Sequence, residues 1–271
     1  MTEREERLQL TEPELKEAEE RSSATARVVH EAVRREGEDE LKRSPMALLW
    51  SGLAAGLSMG FSLMLEGAMR ARLPHTAWAE LISRIGYSAG FVIVILGRQQ
   101  LFTENTLTVV LPLFENPGRA TTCRVARLWT VVFLANLAGA LAIGWVLGHT
   151  DVFTAETREN FTAIARQSLQ PGFGIAFLRA IFAGWLLALL VWLLPFAEHA
   201  RFFVIIGVTW TISVCGFPHV VAGAVDVFYL ATGGLAPWRQ AIGDYLLPAL
   251  VGNIAGGVSL VSALNHAQVS S

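Results

Sequence analysis

Two apolar blocks of this chain are each too long for one membrane-spanning helix and too short for two. They cover residues 82–112 and 202–232, 31 residues each. A continuous helix of that length would reach about 46 Å, whereas the hydrocarbon core of a bilayer is only ~30 Å thick. Both blocks also have polar or helix-breaking residues at their centres, RQQLFTENT in the first and CGFPHVVAG in the second. The sequence therefore predicts two half-helices joined by non-helical backbone in each block.

Four other apolar blocks have the length of ordinary membrane spans. They cover residues 45–65, 128–147, 174–194 and 245–264, 20 or 21 residues each. The composition agrees, because 53% of the 271 residues are apolar and only 16% are charged, which is outside the usual range of a soluble domain. We therefore expect an all-α polytopic membrane protein with six transmembrane helices, of which the second and the fifth are broken.

The two broken blocks occupy matching positions in a duplicated pattern. The motif NLAGA begins at Asn136 and the motif NIAGG begins at Asn253, 117 residues later, and the same shift carries Phe102 onto His219. The six spans thus divide into two repeats of three helices. Because each repeat crosses the membrane an odd number of times, the second is inverted relative to the first, and the two breaks are expected to meet near the midplane.

Non-helical backbone inside a membrane restricts what can surround it. Each unpaired N–H or C=O group costs several kcal/mol in lipid, so such a segment lines a cavity or is packed within protein. Half-helices that point their N-termini at a common cavity present positive dipole ends, an arrangement that suits small anions. The polar centres of the two blocks therefore indicate a pathway for a small solute.

The first 44 residues differ in composition from the rest of the chain. They contain 13 of its 23 acidic and nine of its 21 basic side chains, and a helix with Thr11 as its N-cap is predicted there. We interpret residues 1–44 as a charged, solvated cytoplasmic arm, with a gating or partner-docking helix as the alternative. Residues 45–265 form the membrane domain, and residues 266–271 form a short cytoplasmic tail. Four basic residues before the first span favour a cytoplasmic N-terminus: Arg34, Arg35, Lys42 and Arg43.

Two short motifs carry a resemblance to a known family. The stretch LFTENT resembles the loop that interrupts the second helix of the formate/nitrite transporter (FNT) family, and GFPH resembles the loop that bears that family's central histidine. Their residues are Leu101, Phe102, Thr103, Glu104, Asn105 and Thr106, and Gly216, Phe217, Pro218 and His219. The similarity extends over about 45–265, and LFTEN combined with HVVAG is most similar to the family's YfdC-like branch. The resemblance implies an aquaporin-like FNT fold, a homopentamer with one pore per subunit, and a place in the bacterial inner membrane with both termini in the cytoplasm.

The resemblance also implies roles for individual residues. His219 matches the central histidine, which faces the pore and can hydrogen-bond a permeating anion or share a proton with it. Thr103 matches the loop threonine that contacts this histidine, and Leu101 and Phe102 match the apolar residues of the inner constriction. Because a dehydrated charge is costly, protonation of a weak-acid anion would lower the barrier to its passage. The implied function is a channel or proton-coupled transporter for a small monovalent weak-acid anion such as formate or nitrite.

Two positions depart from the family's pattern. Formate-carrying members have a lysine and an asparagine in the outer vestibule, near the positions of Gly172 and Ala188, whereas this chain has no lysine after Lys42. Glu104 stands where relatives have a small residue, and a carboxylate there would repel anions unless it is protonated or paired. We predict that Arg98, on the other side of the same break, is the partner of Glu104.

Two further charged residues are candidates for a functional role. Arg179, near the start of the fourth span, either replaces the missing vestibule charge or contacts a lipid headgroup. Asp226 lies two turns after His219, within a membrane-spanning segment, where an ionisable residue is costly and usually has a function. The alternative is that it forms a structural pair with a polar partner. The other five histidines fall in the arm, in loops or at helix ends, and we interpret them as solvated.

Three classes of function remain open. They are the weak-acid channel or transporter, a neutral-solute pore of aquaporin character, and a non-transporting membrane protein with a repurposed pore. A pore of aquaporin character normally has two Asn-Pro-Ala motifs, which this chain lacks. An enzyme is not expected, because the sequence has no metal-ligand spacing, phosphate-binding loop or nucleophile motif. We predict no cofactor, metal or nucleic acid; the predicted partners are lipid, a small solute and other copies of the chain.

Overall fold

The computed structural model describes residues 26–263, and this part of the chain is α-helical with short 3₁₀ and π segments. The expected N-cap Thr11 and the predicted tail, residues 266–271, lie outside the described residues. The first helices are α1 (Ala26–Lys42), α2 (Pro45–Arg70), α3 (Ala77–Ser83), α4 (Ser88–Leu96), α5 (Asn105–Thr108), α6 (Val110–Glu115) and α7 (Arg119–His149). They are followed by α8 (Ala155–Ser168), α9 (Gly172–Leu193), α10 (Arg201–Val214), α11 (Val220–Thr232), α12 (Trp238–Gln240) and α13 (Leu247–Ala255).

Short 3₁₀ and π segments extend several of these helices. The 3₁₀ turn Arg84–Tyr87 joins α3 to α4, and the 3₁₀ turn Leu194–Phe196 follows α9. The π-helical segments Ala241–Leu246 and Gly256–Ala263 follow α12 and α13.

The apolar helices fall into two length classes. Within residues 26–263, five helical segments are long and apolar enough to cross a membrane: Pro45–Arg70, Ala77–Leu96, Arg119–His149, Gly172–Phe196 and Trp238–Ser259. The block 202–232 is instead divided between the shorter apolar helices α10 and α11. The block 82–112 is likewise interrupted between α4 and α5. Both interruptions fall at the polar centres that the sequence predicted.

The first predicted span is longer than expected. Helix α2 begins at Pro45, directly after Ser44, whose hydroxyl oxygen accepts a hydrogen bond from the Ala47 amide at 3.2 Å. It continues past its predicted end to Arg70, which forms an ion pair of 2.7 Å with Glu66 one turn earlier. Glu66 is only 3% exposed, so this carboxylate lies inside the helical body rather than in a loop.

The described part of the N-terminal arm packs against the helical body, so the solvated-arm interpretation is wrong for it. Val33 of α1 is fully buried, and Gly37 lies so close to the Thr108 carbonyl that a side chain at position 37 would clash. Arg34 also lies 3.3 Å from Glu115, at the end of α6. Helix α1 therefore covers the segment that follows the first break.

Two ionisable residues of α1 differ in their environments, since His30 is buried whereas Glu31 pairs with arginines of the same helix. His30 is only 4% exposed and lies edge-on to Trp192, with ring centroids 6.3 Å apart, so its interpretation as a solvated histidine is wrong. Hydrogen bonds from Arg34 and Arg35 lower the pKa of Glu31 to about 2. Arg34 thus joins a strongly acidic side chain of α1 to the body of the protein.

The core is centred on α11. From Val220 to Ala231, every residue of this helix except Asp226 is buried. It packs against α2, α7 and α8. A helix that is apolar all round needs neighbours on every side, so α11 is an internal element and His219, at its N-terminus, lies deep in the protein.

Candidate functional site at the two helix breaks

The first break follows α4. The Gln99 amide donates to the Val94 carbonyl at 2.9 Å, and the Arg98 amide donates to the Ile95 carbonyl at 3.2 Å. This pair of bonds is a Schellman motif, which satisfies the last carbonyls of a helix. Arg98 takes the left-handed position of the motif with a φ of 49°. The helix therefore ends at a defined cap rather than in a loose turn.

The second break follows α10 and has the same cap. The Phe217 amide donates to the Ile212 carbonyl at 3.0 Å, and the Gly216 amide donates to the Ser213 carbonyl at 3.1 Å. Gly216 takes the left-handed position with a φ of 61°. Each of these residues lies 118 positions after its counterpart in the first break. The two caps therefore have the same backbone hydrogen bonds.

An asparagine side chain of α7 fixes the first break. Asn136 accepts a hydrogen bond from the Phe102 amide at 2.9 Å. It donates to the Gln100 carbonyl at 2.9 Å and to the Gly52 carbonyl of α2 at 2.8 Å. One buried side chain thus satisfies three buried backbone groups, two of which belong to the break.

An asparagine side chain of α13 makes the same three bonds at the second break. Asn253 accepts from the Val220 amide at 2.9 Å and donates to the carbonyls of Pro218 at 3.0 Å and of Ala180 at 2.8 Å. Asn136 and Asn253 are the asparagines of the duplicated motif. Sequence reasoning recognised them as a repeat but not as the residues that hold the breaks.

The two breaks differ in the hydrogen bonding of one backbone amide position. The Gln100 amide donates to the Ser51 hydroxyl oxygen at 3.0 Å. Its counterpart is Pro218, which is buried and has no amide hydrogen. The second break therefore needs no hydrogen-bond acceptor at that point.

His219 and Thr103 meet between the two breaks. Thr103 Oγ1 lies 2.7 Å from His219 Nε2, and both side chains are almost completely buried. His219 Nδ1 accepts a hydrogen bond from the Ala222 amide at 3.1 Å, so this side chain is the N-cap of α11. Because a backbone amide only donates, Nδ1 carries no proton, and the ring hydrogen is on Nε2. The neutral imidazole therefore donates to the Thr103 oxygen.

Aromatic side chains enclose the imidazole. Phe91 lies edge-on to His219 with ring centroids 4.9 Å apart, and Tyr87 lies 5.3 Å from Phe91. The Tyr245 hydroxyl donates to the His219 carbonyl at 3.1 Å. These contacts fix both the ring and the backbone of His219.

The two apolar residues of the LFTENT stretch are also buried. Leu101 is 0% exposed, and the Phe102 ring packs against Phe133 and Trp129 with centroids 5.0 and 5.8 Å apart. In the second break, Phe217 stacks on Phe182 at 5.2 Å. Apolar rings therefore lie beside both breaks.

The polar side chains of LFTENT brace its backbone. Asn105 Nδ2 donates to Gln100 Oε1 at 3.1 Å and to the Leu101 carbonyl at 3.2 Å. Thr106 Oγ1 donates to the Thr103 carbonyl at 2.7 Å. These bonds give the first break a rigid shape around Thr103.

The predicted ion pair between Arg98 and Glu104 does not form. Arg98 is exposed, whereas Glu104 Oε1 is buried and has no hydrogen-bond partner within the described residues. The prediction treated the break as a free turn, but the Schellman cap and Asn136 fix its backbone and hold the two side chains apart. The charges that act on Glu104 belong to Glu36 and Glu40 of α1, which are acidic as well.

A cavity of about 340 Å³ adjoins the second break. Its wall includes Pro218 together with Asp226 and Arg179, the two charged residues predicted as functional candidates. Ser168 Oγ donates to Asp226 Oδ2 at 3.0 Å, so Asp226 has a polar partner. The structure thus places both charges beside the break that carries His219.

Three other residues of this cavity wall were missed by sequence reasoning: Glu66, Tyr87 and Tyr245. The spacing of Glu66 and Arg70, four residues apart, was the available signal that α2 continues beyond its apolar stretch. The tyrosines gave no comparable signal, because their positions follow from how distant helices pack. Within residues 26–263, no group of three or more His, Cys, Asp or Glu side chains is arranged to hold a metal ion.

Comparisons with known proteins agree with this architecture. The family model described as formate/nitrite transporter matches residues 27–267. The chain is 41% identical over 251 residues to the inner membrane protein YfdC of Escherichia coli, covering 93% of this chain and 81% of that protein. It is 31% identical over 245 residues to the uncharacterized transporter YrhG of Bacillus subtilis, covering 87% and 90%.

A solved structure has the same fold. It is a pentameric formate channel with formate bound, which superposes with a TM-score of 0.71 at 21% identity and covers 84% of this chain and 98% of that one. Helix breaks, a buried histidine and threonine between them, and these matches over most of the sequence have one explanation: the chain is a transmembrane member of the formate/nitrite transporter family.

Proposed function

We propose that the protein is a channel or proton-coupled transporter for a small monovalent weak-acid anion such as formate or nitrite, with a pore in each subunit. The observation that carries the proposal is the buried pair of His219 and Thr103 between two capped helix breaks. Family membership supports it, since a solved structure with this fold is a formate channel.

The proposed architecture is six membrane spans arranged as two inverted repeats of three. The identical caps and the matching bonds of Asn136 and Asn253 support a duplicated unit. In this arrangement α3 to α6 form the second span, and α10 and α11 form the fifth. We propose a homopentamer in the bacterial inner membrane with both termini in the cytoplasm, in keeping with the inner membrane relative and the pentameric neighbour.

The proposed pathway passes His219 between two narrow regions. Leu101 and Phe102 form the inner constriction, and Thr103 accepts the Nε2–H hydrogen bond of His219 and so holds the imidazole near the path. The remaining residues of the pore loops, Glu104, Asn105, Thr106, Gly216, Phe217 and Pro218, shape the passage. Because both ring nitrogens already have hydrogen-bond partners, we propose that His219 stays neutral and that a passing solute takes over the Nε2–H hydrogen bond from Thr103.

A neutral-solute pore is the second candidate, and Glu104 favours it. An ionised Glu104, which forms no ion pair within 4 Å among the described residues, would oppose the passage of anions in a chain without a vestibule lysine. Uncharged small solutes would not be affected by this charge. The third candidate is a membrane protein that transports no solute and whose pore serves another purpose.

Flux measurements in proteoliposomes separate these candidates. The full chain is reconstituted, and uptake of formate, nitrite and an uncharged solute such as urea is measured with and without an inward proton gradient. We expect formate or nitrite uptake above that of empty liposomes and stimulation by the gradient. Uptake of urea alone would establish the neutral-solute pore, and no uptake of any solute would overturn the transport proposal.

A threonine pair supplies the matched variants for this experiment. Thr103→Val removes the partner of His219, and we expect anion uptake to fall about tenfold, equivalent to ~1.4 kcal/mol, because the imidazole loses the hydrogen bond that fixes its position. Thr130→Val makes the same chemical change on the exposed face of α7, where Thr130 Oγ1 donates to the Ala126 carbonyl of its own helix and to no other group within residues 26–263. Equal uptake by the two variants would contradict a role for the His219–Thr103 pair.

A further inference from the structure

The cavity beside the second break contains an arginine and a carboxyl group that do not form an ion pair with each other. Asp226 accepts one hydrogen bond, from Ser168 at 3.0 Å. No ion pair within 4 Å involves Asp226 or Arg179 in the described residues, although both line the same cavity. Arg179 is exposed and Asp226 is partly exposed, so both are in contact with the solvent side of the cavity.

The other charged groups of the cavity already have partners. Glu66 of α2 pairs with Arg70 at 2.7 Å. Arg84 donates to Glu80 at 2.9 Å and to the Ser213 carbonyl at 2.7 Å. These groups are therefore committed to the protein itself.

The remaining neighbours of Asp226 are hydroxyl groups or carry no charge. Tyr87 and Tyr245 line the cavity, and Ser168 of α8 supplies the hydrogen bond. Helix α7 approaches α11 at Gly144, which has no ionisable side chain. Asp226 is thus the one carboxyl of the cavity wall, among the described residues, without a basic partner within 4 Å.

We propose that Arg179 attracts a small weak-acid anion into this cavity and that Asp226 transfers a proton to it before it reaches His219. In this step the carboxyl O–H bond of Asp226 breaks and an O–H bond forms on the anion, which leaves a carboxylate on Asp226 and a neutral acid in the cavity. A hydronium ion from the solution at the mouth of the cavity then returns a proton to Asp226 and leaves a water molecule. The inference rests on the proposed transport function and deepens it, since it assigns the group that neutralises the solute.

Geometry explains why the transfer would occur at this position. The cavity adjoins Pro218, directly before His219, and the path beyond it is enclosed by Phe91 and Tyr87. A charged solute would lose its hydration there at high cost, whereas a neutral acid would not. Ser168 is a positioning residue, because its hydroxyl orients the carboxyl of Asp226.

The test compares formate uptake by the wild type, Asp226→Asn, Asp226→Glu and the control Asp151→Asn, whose carboxylate is 90% exposed and outside the cavity. Uptake into proteoliposomes is measured from about pH 8 to about pH 5. We expect Asp226→Asn to lose at least about tenfold of the wild-type uptake at the highest pH, as expected for removal of a proton donor. The loss should shrink as the pH falls, because more formic acid is then already neutral in solution. Asp226→Glu should restore part of the uptake at high pH.

The outcomes distinguish this inference from the function on which it rests. If the wild type takes up neither formate nor nitrite, the transport proposal fails. If the wild type transports but Asp226→Asn loses the same fraction at every pH, or none, the proton-donor role fails and the transport proposal stands. Size-exclusion chromatography of each variant verifies that the protein is folded and assembled, and Asp151→Asn should behave as the wild type.

Discussion

The two helix breaks have the same backbone framework and different chemistry. Both begin with a Schellman cap, and both are held by an asparagine that makes three equivalent hydrogen bonds. In the second break, Gly216 suits the left-handed position of the cap, and Pro218 has no amide hydrogen that needs an acceptor. His219 has Thr103 as its hydrogen-bond partner. The first carries Arg98 in a left-handed conformation and Glu104 with a buried, unpaired oxygen. The backbone framework can therefore stay the same while the side chains of the break differ. The first break has a left-handed arginine and an unpaired carboxyl oxygen where the second has residues that fit their positions.

The largest effect on stability is expected from replacing Asn136 or Asn253, because these side chains make the hydrogen bonds that both breaks have in common. Asn136→Ala and Asn253→Ala each leave one buried amide and two buried carbonyls without a partner. At ~1–3 kcal/mol for each unsatisfied group, we expect each variant to lose at least about 3 kcal/mol of stability. Thermal unfolding in detergent measures the loss. Asn160→Ala is the control, since in the part of the chain that the structure describes its side chain bonds only to the Glu156 carbonyl of its own helix.

The comparison would fail if only one of the two asparagine variants were destabilised. That result would mean that one break is held by its surrounding helices and that the matching hydrogen bonds have unequal importance. Similar losses in both variants would establish that the framework works in the same way at both positions.

The left-handed cap residues should respond in opposite directions. Arg98→Gly removes a non-glycine residue from a left-handed conformation and should stabilise the protein by about 1 kcal/mol, whereas Gly216→Ala should destabilise it by about 1–2 kcal/mol. Gly207→Ala is the control, because this glycine lies inside α10 with open space around it, and alanine should stabilise that helix slightly. Chemical or thermal unfolding curves measure all three. A stabilising Gly216→Ala would contradict the cap assignment.

The smallest expected effect concerns the unpaired carboxylate of the first break. Glu104→Gln keeps the shape of the side chain and removes its charge, so we expect formate uptake to rise about fivefold, equivalent to ~1 kcal/mol. Glu104→Gly should act in the same direction. Uptake into proteoliposomes measures the change, with Glu156→Gln on the exposed surface of α8 as the control. A decrease in uptake would mean that the carboxylate assists transport.

The breaks could be predicted from the sequence because their causes are local. Gly216 and Pro218 both favour the end of a helix, and a polar run cannot face lipid. The duplicated asparagines could be recognised as a repeat, but their three hydrogen bonds could not, since each joins helices that are distant in the sequence.

The failed predictions had a different origin. The Arg98–Glu104 pair was inferred from closeness in sequence, yet the cap fixes Arg98 with its side chain exposed. The packing of α1 did have a signal that was not used. Val29, Val33, Gly37 and Leu41 follow one another at intervals of four residues and form its buried face.

The Gln100 amide of the first break needs the Ser51 hydroxyl as its acceptor, whereas the equivalent residue of the second break is Pro218. This difference restricts how the protein can evolve. Proline abolishes an amide donor, so the second break is released from any need to keep a serine nearby. Reversal is harder, because any other residue at position 218 would restore a buried amide without an acceptor, at a cost of ~1–3 kcal/mol. A return to the non-proline state would thus require two substitutions in a particular order. Mutational histories of the two repeats should accordingly be asymmetric, with change at the second break running mainly in one direction.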